Sequence, residues 1–257
     1  MFQAISILGY RYIQSLFDKE VPLMNEKEIQ KHWQVGPSSF KGDMHQFQNW
    51  FDRTASLDQT ISYGNIDFHA KILMPDICKQ LGETKNKTCL EIGFGGGRIL
   101  NAAAKVFQKA NGIDIHDCFD MTSEFLKSQG VENFSLIRFE DSNDIADDSV
   151  DFIYSFIVFQ HFGSIDVFYQ YLDLIKRIMK KGGCGNLHLG KNIWNNNGYF
   201  LKPNLNLGTT CSTLYYNLDF VKKELESRNL KMISHGQMKK MPWSDIPSGQ
   251  FFVNFKK

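Results

Sequence analysis

The feature that most constrains this chain is the stretch Cys89 to Leu100, CLEIGFGGGRIL. In it a short apolar run holds Glu91 and meets Gly93, Gly95, Gly96 and Gly97 just before a helical pattern begins at Ile99. That order predicts a buried strand, a tight glycine turn and a helix. Glycines take such spacing when the backbone runs at positive φ and approaches something a Cβ would push away, and the amides opening the next helix favour negative charge. The turn therefore reads as a ligand cradle, against the plainer alternative of a glycine-rich turn that holds nothing. A dinucleotide-binding turn needs G-x-G-x-x-G, and counting from Gly93 puts Arg98 where its third glycine belongs.

Around the turn, apolar runs and helical periodicities alternate. Asp67–Leu81 reads as a helix interrupted at Pro75, Thr88–Ile92 as the first strand, Ile99–Gln108 as a helix and Asn111–Ile115 as the second strand. Met121–Ser128 is expected to be a helix ending near Gly130, Phe134–Phe139 a third strand, and Val150–Phe156 a strand buried on both faces. Val167–Met179 has helical spacing and runs into KKGG, which predicts a charged last turn stopped by glycine; Gly185–Leu189 is the fifth strand. Such alternation implies βαβ units and a parallel sheet. The rhythm then changes to a long irregular stretch, Lys191–Tyr216, rich in Asn, Gly and aromatics, and loops of that kind are usually functional. A helix over Leu218–Arg228 and strands over Leu230–Ser234 and Gln250–Phe255 close the chain.

Ahead of the turn, Ile5, Leu8, Tyr12, Leu16 and Phe17 sit at helical spacing. An aromatic segment follows, with Trp33, Phe40, Phe47, Trp50, Phe51, Tyr63 and Phe68 interleaved with Asp43, His45, Asp52, Arg53, Asp67 and His69. Packing of helices onto the sheet accounts for most such rings.

The chain has 257 residues, 42% of them hydrophobic, enough for one large α/β domain with additions. Its 29 Lys and Arg against 28 Asp and Glu leave a formal charge of +1, which argues against a nucleic-acid partner and for a small-molecule one. The five cysteines are scattered, without a C-x-x-C pair, and read as reduced thiols; neither a disulfide framework nor a metal site is expected. The N-terminal MFQAISILGY lacks a basic leader and a cleavage site, and no apolar run approaches membrane-spanning length, so a cytoplasmic protein is expected.

The string E-x-G-x-G-x-G resembles the first motif of the class I S-adenosylmethionine (SAM) dependent methyltransferases. DDSVDFIYSFIVFQHF, Asp147 to Phe162, resembles that family's fourth-strand motif, in which D-x-x-x-S, here Asp151 to Ser155, precedes an apolar stretch ending in His. LIKRIMKKGG, Leu174 to Gly183, resembles its helix-plus-glycine signature. The resemblance covers roughly residues 88–190 and implies a Rossmann-like, mostly parallel seven-stranded sheet with helices on both faces and an antiparallel C-terminal strand pair. Residues 1–80 would form a helical extension that closes over the cofactor, and 81–257 the methyltransferase domain with an insertion loop at 191–217.

The resemblance implies SAM as cofactor and S-adenosylhomocysteine as product. Its methionine end would lie over Gly93, Gly95 and Gly97 with Glu91 orienting the amine, and Asp114, 17 positions after Gly97, would take both ribose hydroxyls. Ile115 would touch adenine, Asp141 and Ser142 would meet its polar edge, and Ser155 belongs to the fourth-strand motif. Methyl transfer needs alignment, exclusion of water and removal of an acceptor proton; His161, just past the fourth strand, is the candidate base, whereas His188 inside the fifth strand reads as a core histidine. Tyr199, Asn195 to Asn197, Tyr215 and Tyr216 are candidates for the acceptor pocket.

The function implied is methyl transfer to an oxygen or nitrogen of a small molecule. The Lys-, Asn- and Phe-rich composition resembles that of AT-rich bacteria, in which a surface-polysaccharide precursor is a natural acceptor. The competing readings are a SAM-binding or scaffold protein without turnover and a nicotinamide oxidoreductase, the latter disfavoured by Arg98. Either a monomer or a homodimer is compatible with the sequence.

Overall fold

A computed structural model describes residues 26–193, 195–201, 213–238 and 249–257. The helical stripe expected at residues 5–17 lies outside the described residues, as does Cys211. Among the described residues four α-helices precede the sheet: α1 (Glu26–Val35), α2 (Met44–Asp52), α3 (Leu57–Asp67) and α4 (Pro75–Leu81). Asp43 caps α2 by accepting from Gln46 N–H and Ser56 caps α3 by accepting from Gln59 N–H. The helix expected over Asp67–Leu81 is in fact two. α3 runs into a π turn, Phe68–Ile72, and Pro75 opens α4 instead of interrupting it, because a residue without N–H is tolerated in a first turn, where no intrahelical partner exists.

The sheet then builds in βα steps: β1 (Thr88–Ile92), α5 (Arg98–Ala104), β2 (Lys109–Asp114), α6 (Phe119–Ser128), β3 (Phe134–Arg138), β4 (Val150–Ser155), α7 (Ile165–Ile178) and β5 (Met179–Gly190). β6 (Tyr199–Leu201) and β7 (Leu214–Tyr216) form a small separate hairpin, and α8 (Leu218–Glu226), β8 (Lys231–Gln237) and β9 (Gln250–Lys256) finish the chain. The seven strands lie in the order β3-β2-β1-β4-β5-β9-β8, parallel up to β5, with β9 antiparallel to both neighbours.

Alternation along the strands gives each face its own core. Leu90, Ile92 and Ile153 pack with Phe168, Leu172 and Ile175 of α7 and Val221 and Leu225 of α8. Cys89, Phe152 and Tyr154 point the other way, onto Ile77 and Leu81 of α4, the α5 residues Ile99 to Ala104, and Phe125 and Leu126 of α6. Strands covered on both faces explain the near-continuous apolar runs in the sequence.

Two expectations need correction. The KKGG segment does not end a helix: α7 stops at Ile178 and Met179–Gly183 already belongs to β5, whose register against β4 shifts between Val150 and Phe152. Gly182, at φ 78°, and Gly183, where a Cβ would stand 3.0 Å from Asp151 O, accommodate that irregularity, a backbone job that a charged run before glycine also advertises. The stretch after β5 is likewise not wholly irregular, since β7 returns against the body of the fold: Thr213 donates to Phe162 O at 2.6 Å and Tyr216 Oη to Phe159 O at 2.9 Å.

Candidate active site

At the carboxyl edge of the parallel strands lies a cavity of about 560 Å³. Its floor is the turn after β1 and the end of β2; its roof is α1 and α2; its far side is the segment after β4. Six expected site residues line it: Glu91, Gly93, Gly95, Asp114, Ile115 and His161.

The turn takes the conformation that requires glycine, with φ of 74° at Gly93, 49° at Gly95 and 86° at Gly97. The bulk a Cβ would meet is the protein's own. At Gly93 it would stand 2.3 Å from Val158 Cγ2, at Gly96 2.4 Å from Gln48 Oε1, and at Gly97 2.8 Å from Thr122 Cγ2. The glycines thus admit neighbouring side chains as well as shape a cradle.

The Gly95 peptide is fixed from both sides. Its N–H donates to Asp114 Oδ2 at 2.8 Å, and its carbonyl accepts from Thr122 Oγ1 at 2.8 Å and from His116 Nε2 at 3.1 Å. His116 Nδ1 accepts from Cys118 N–H at 3.0 Å, so the ring proton sits on Nε2, and burial lowers the imidazole pKa, in keeping with the neutral form. Asp114 Oδ1 accepts from Ile115 N–H at 2.7 Å. Each carboxylate oxygen therefore has one backbone donor and one lone-pair site to spare, the geometry a vicinal diol needs.

Glu91 sits behind the turn, 2% exposed, opposite Tyr154 across the parallel pair, whose hydroxyl donates to Glu91 Oε2 at 3.1 Å. Burial pushes its carboxyl well above the usual range, against the Tyr154 bond and the Arg98 charge. Arg98 opens α5 and reaches back to the helices before the sheet, its Nε 2.5 Å from Asp52 Oδ1 and its Nη1 2.6 Å from Asp67 Oδ2. Burial opposes its charge, but the two carboxylates outweigh that and raise its pKa, while burial raises Asp52. Gln48 completes the link by donating to Gly96 O at 2.7 Å.

His161 ends the short turn Phe159–His161, which β7 braces from behind. Its ring lies 4.5 Å from that of Trp33 in the roof, and its Nε2 is 3.4 Å from Gln160 Nε2, whose Oε1 accepts from Gln250 Nε2 at 2.6 Å. His188 is a core residue: 1% exposed, with Nε2 3.1 Å from Lys71 O and its pKa lowered to about 4 by burial.

Four expected residues do not line the cavity. Gly97 faces Thr122 of α6, and Ser155 is buried and donates to Ile92 O at 3.0 Å, tying β4 to β1. Asp141 and Ser142 lie on the turn Phe139–Asp144, of which Phe139 reaches the cavity while Ser142 O accepts from Arg177 Nη2 at 2.7 Å. Nor do Tyr199, Asn195, Asn197, Tyr215 or Tyr216 line it, whereas Gln30, Trp33, Trp50 and Gln160 do. The two tryptophans stood out in the sequence only as members of an aromatic run. Arg98 stood out as the residue that spoils a dinucleotide turn, and the same oddity marks its ion pairs.

Residues 90–185 match the family model described as a methyltransferase domain. No curated protein matches the sequence. Among solved structures the chain is similar to the 1,6-didemethyltoxoflavin-N1-methyltransferase of Burkholderia thailandensis, with 13% identity over 93% of this chain and 92% of that one and a TM-score of 0.59. It is similar also to a SAM-dependent methyltransferase of Methanosarcina mazei, with 17% identity, 72% and 98% coverage and a TM-score of 0.56. A third is a SAM-dependent methyltransferase of Mesorhizobium loti, with 12% identity, 72% and 97% coverage and a TM-score of 0.56. At such identities the likeness is one of fold. Residues 90–185 thus carry a methyltransferase domain, seated on a seven-stranded sheet of the fold that these S-adenosylmethionine-dependent methyltransferases share.

Proposed function

We propose that the protein transfers a methyl group from SAM to an oxygen or nitrogen of a small-molecule acceptor held under α1 and α2. One observation carries the reading: a single cavity touches Glu91, Gly93, Gly95, Asp114, Ile115 and His161, and its volume of about 560 Å³ falls within the roughly 300–1,000 Å³ of small-molecule sites. The donor set suits SAM. Asp114 has spare lone pairs for the ribose diol, Ile115 and Phe139 offer apolar walls for adenine, and the turn backbone with Glu91 offers polar atoms for the amino-acid tail. The cofactor, when bound, supplies a methyl group already activated on a sulfonium.

What remains for the chain is alignment and shelter. The turn and Asp114 fix one reactant, the roof excludes water, and His161 receives the acceptor's proton as a general base. The Burkholderia relative, an N-methyltransferase with bound 1,6-didemethyltoxoflavin and S-adenosylhomocysteine, supports a small-molecule acceptor.

Calorimetry with SAM, S-adenosylhomocysteine and NAD tests the cofactor: the first two bind and NAD does not, and binding of NAD alone would overturn the reading. Transfer from labelled SAM into a metabolite extract identifies the acceptor by mass. His161→Ala lowers kcat by about a hundredfold or more with S-adenosylhomocysteine affinity unchanged; a near-normal rate removes the base role.

A further inference from the structure

The roof of the cavity is aromatic to an unusual degree. Trp33 of α1 and Trp50 of α2 meet edge to face, with ring centroids 5.2 Å apart at 80°, and Trp50 meets Phe51 at 4.8 Å and 82°. Trp33 also meets His161 from the opposite wall at 4.5 Å and 50°, so the roof touches the segment after β4 through these two rings. All four side chains line the cavity.

The charges in the lining point the same way. Three carboxyl groups, Asp52, Glu91 and Asp114, line the cavity. Of its two guanidinium groups, Arg98 is already held by Asp52 and Asp67, and Arg53 stands on the exposed end of α2. A phosphate-bearing acceptor needs cations aimed at it, and bidentate arginines serve best. Among the described lining residues the arginines are these two, against three carboxyl groups.

We propose that the acceptor is a flat, uncharged aromatic molecule that packs against the cavity face of the Trp33, Trp50 and His161 rings. This rests on the methyltransferase reading above and names its substrate class. Aromatic pairs gain beyond the area they bury, so the class follows from ring contacts more than from polar ones. The methyl acceptor atom is then a phenolic oxygen or a ring nitrogen, presented beside His161. A sugar nucleotide, the acceptor that composition favours, is the competing outcome.

The test is calorimetry on the full-length protein. S-adenosylhomocysteine is titrated first; then catechol, naphthol and 8-hydroxyquinoline, in parallel with UDP-glucose, are titrated into protein saturated with it. Members of the aromatic set bind and UDP-glucose does not. Trp33→Ala and Trp50→Ala each weaken aromatic binding about tenfold or more while S-adenosylhomocysteine affinity stays unchanged, and Trp50→Phe restores most of it, which a misfolded protein could not show. Binding of UDP-glucose alone, binding of none of the aromatic set at millimolar concentration, or loss of S-adenosylhomocysteine affinity in the tryptophan variants overturns the inference. Failure of S-adenosylhomocysteine to bind the unsubstituted protein is a different result: it removes the methyltransferase reading, and this inference with it.

Discussion

The two walls of the cavity are held by different forces. The floor is pinned by short-range polar contacts inside one β-α-β unit: Asp114, Thr122 and His116 grip the Gly95 peptide, and two large apolar clusters lie beneath the sheet's faces. The roof hangs from a few long-range ties, namely Arg98 to Asp52, Gln48 to Gly96 O, Asp117 N–H to Gln34 O, and a small cluster of Phe47, Cys118 and Met121. A region with few buried apolar contacts opens at lower free energy than the core beneath it. The floor is therefore the more rigid wall, and the roof the one that opens at lower free energy.

The largest expected effect comes from cutting the main tie. Arg98→Met leaves Asp52 and Asp67 buried beside each other with Lys71 as the remaining partner of Asp67, and losing one member of a buried ion pair costs about 3–5 kcal/mol. The melting temperature should fall by on the order of 10 °C. Adding Asp52→Asn to Arg98→Met should recover part of that loss; a double variant no better than the single would show that the roof does not depend on this pair. Next comes the floor. On the proposed reading Asp114→Ala removes two charge-assisted bonds to the ribose of about 1.5–3 kcal/mol each, so S-adenosylhomocysteine affinity is expected to fall at least about a hundredfold. Unchanged affinity in a folded variant would take Asp114 out of the site.

The same difference decides what can be read from the sequence. The floor is written in backbone requirements: glycines at positive φ, apolar runs for strands covered on both faces, an acidic residue closing β2. Hence the succession of strands in the main sheet, the turn and the position of Asp114 are legible in the amino-acid sequence, whereas the short β6-β7 hairpin is not. The roof depends on where side chains of separate helices meet, and no period records that Trp33 would touch His161 or that Arg98 would reach Asp52. Asp141 and Ser142 show the limit between the two. The segment after β3 does approach the cavity, but through Phe139, because Arg177 holds the following backbone at Ser142 O. Residue type locates a loop; only packing decides which of its side chains turns inward.

A third test asks whether the floor has a weak point in acid. His188 in β5 lies against Lys71 O in the π turn, and burial lowers its pKa to about 4. With the folded value below the unfolded one of about 6.5, the unfolded chain binds the proton first, so stability is full above pH ~6.5 and is lost as pH falls towards 4, by about 2 kcal/mol at pH ~5. His188→Gln keeps a donor for Lys71 O and cannot titrate, so its melting temperature should fall less steeply over that interval. Parallel slopes for the two proteins would show that His188 titrates normally.

The smallest effect is expected at the seam between the walls. Ile157 follows β4, lines the cavity and has φ 61°, a conformation that a β-branched residue adopts only at a cost of about 1–3 kcal/mol. It also packs partly on the core below, and truncating it forfeits roughly 1–2 kcal/mol of burial. Ile157→Gly releases the strain and loses the packing, leaving a net change under about 1 kcal/mol. Ile157→Ala loses the packing and keeps the strain. At an ordinary position glycine is the worse replacement by about 0.5–1 kcal/mol; here the order should invert, with the glycine variant melting above the alanine variant. If alanine melts higher, the backbone at Ile157 is not held at positive φ in solution, and the seam stores no strain.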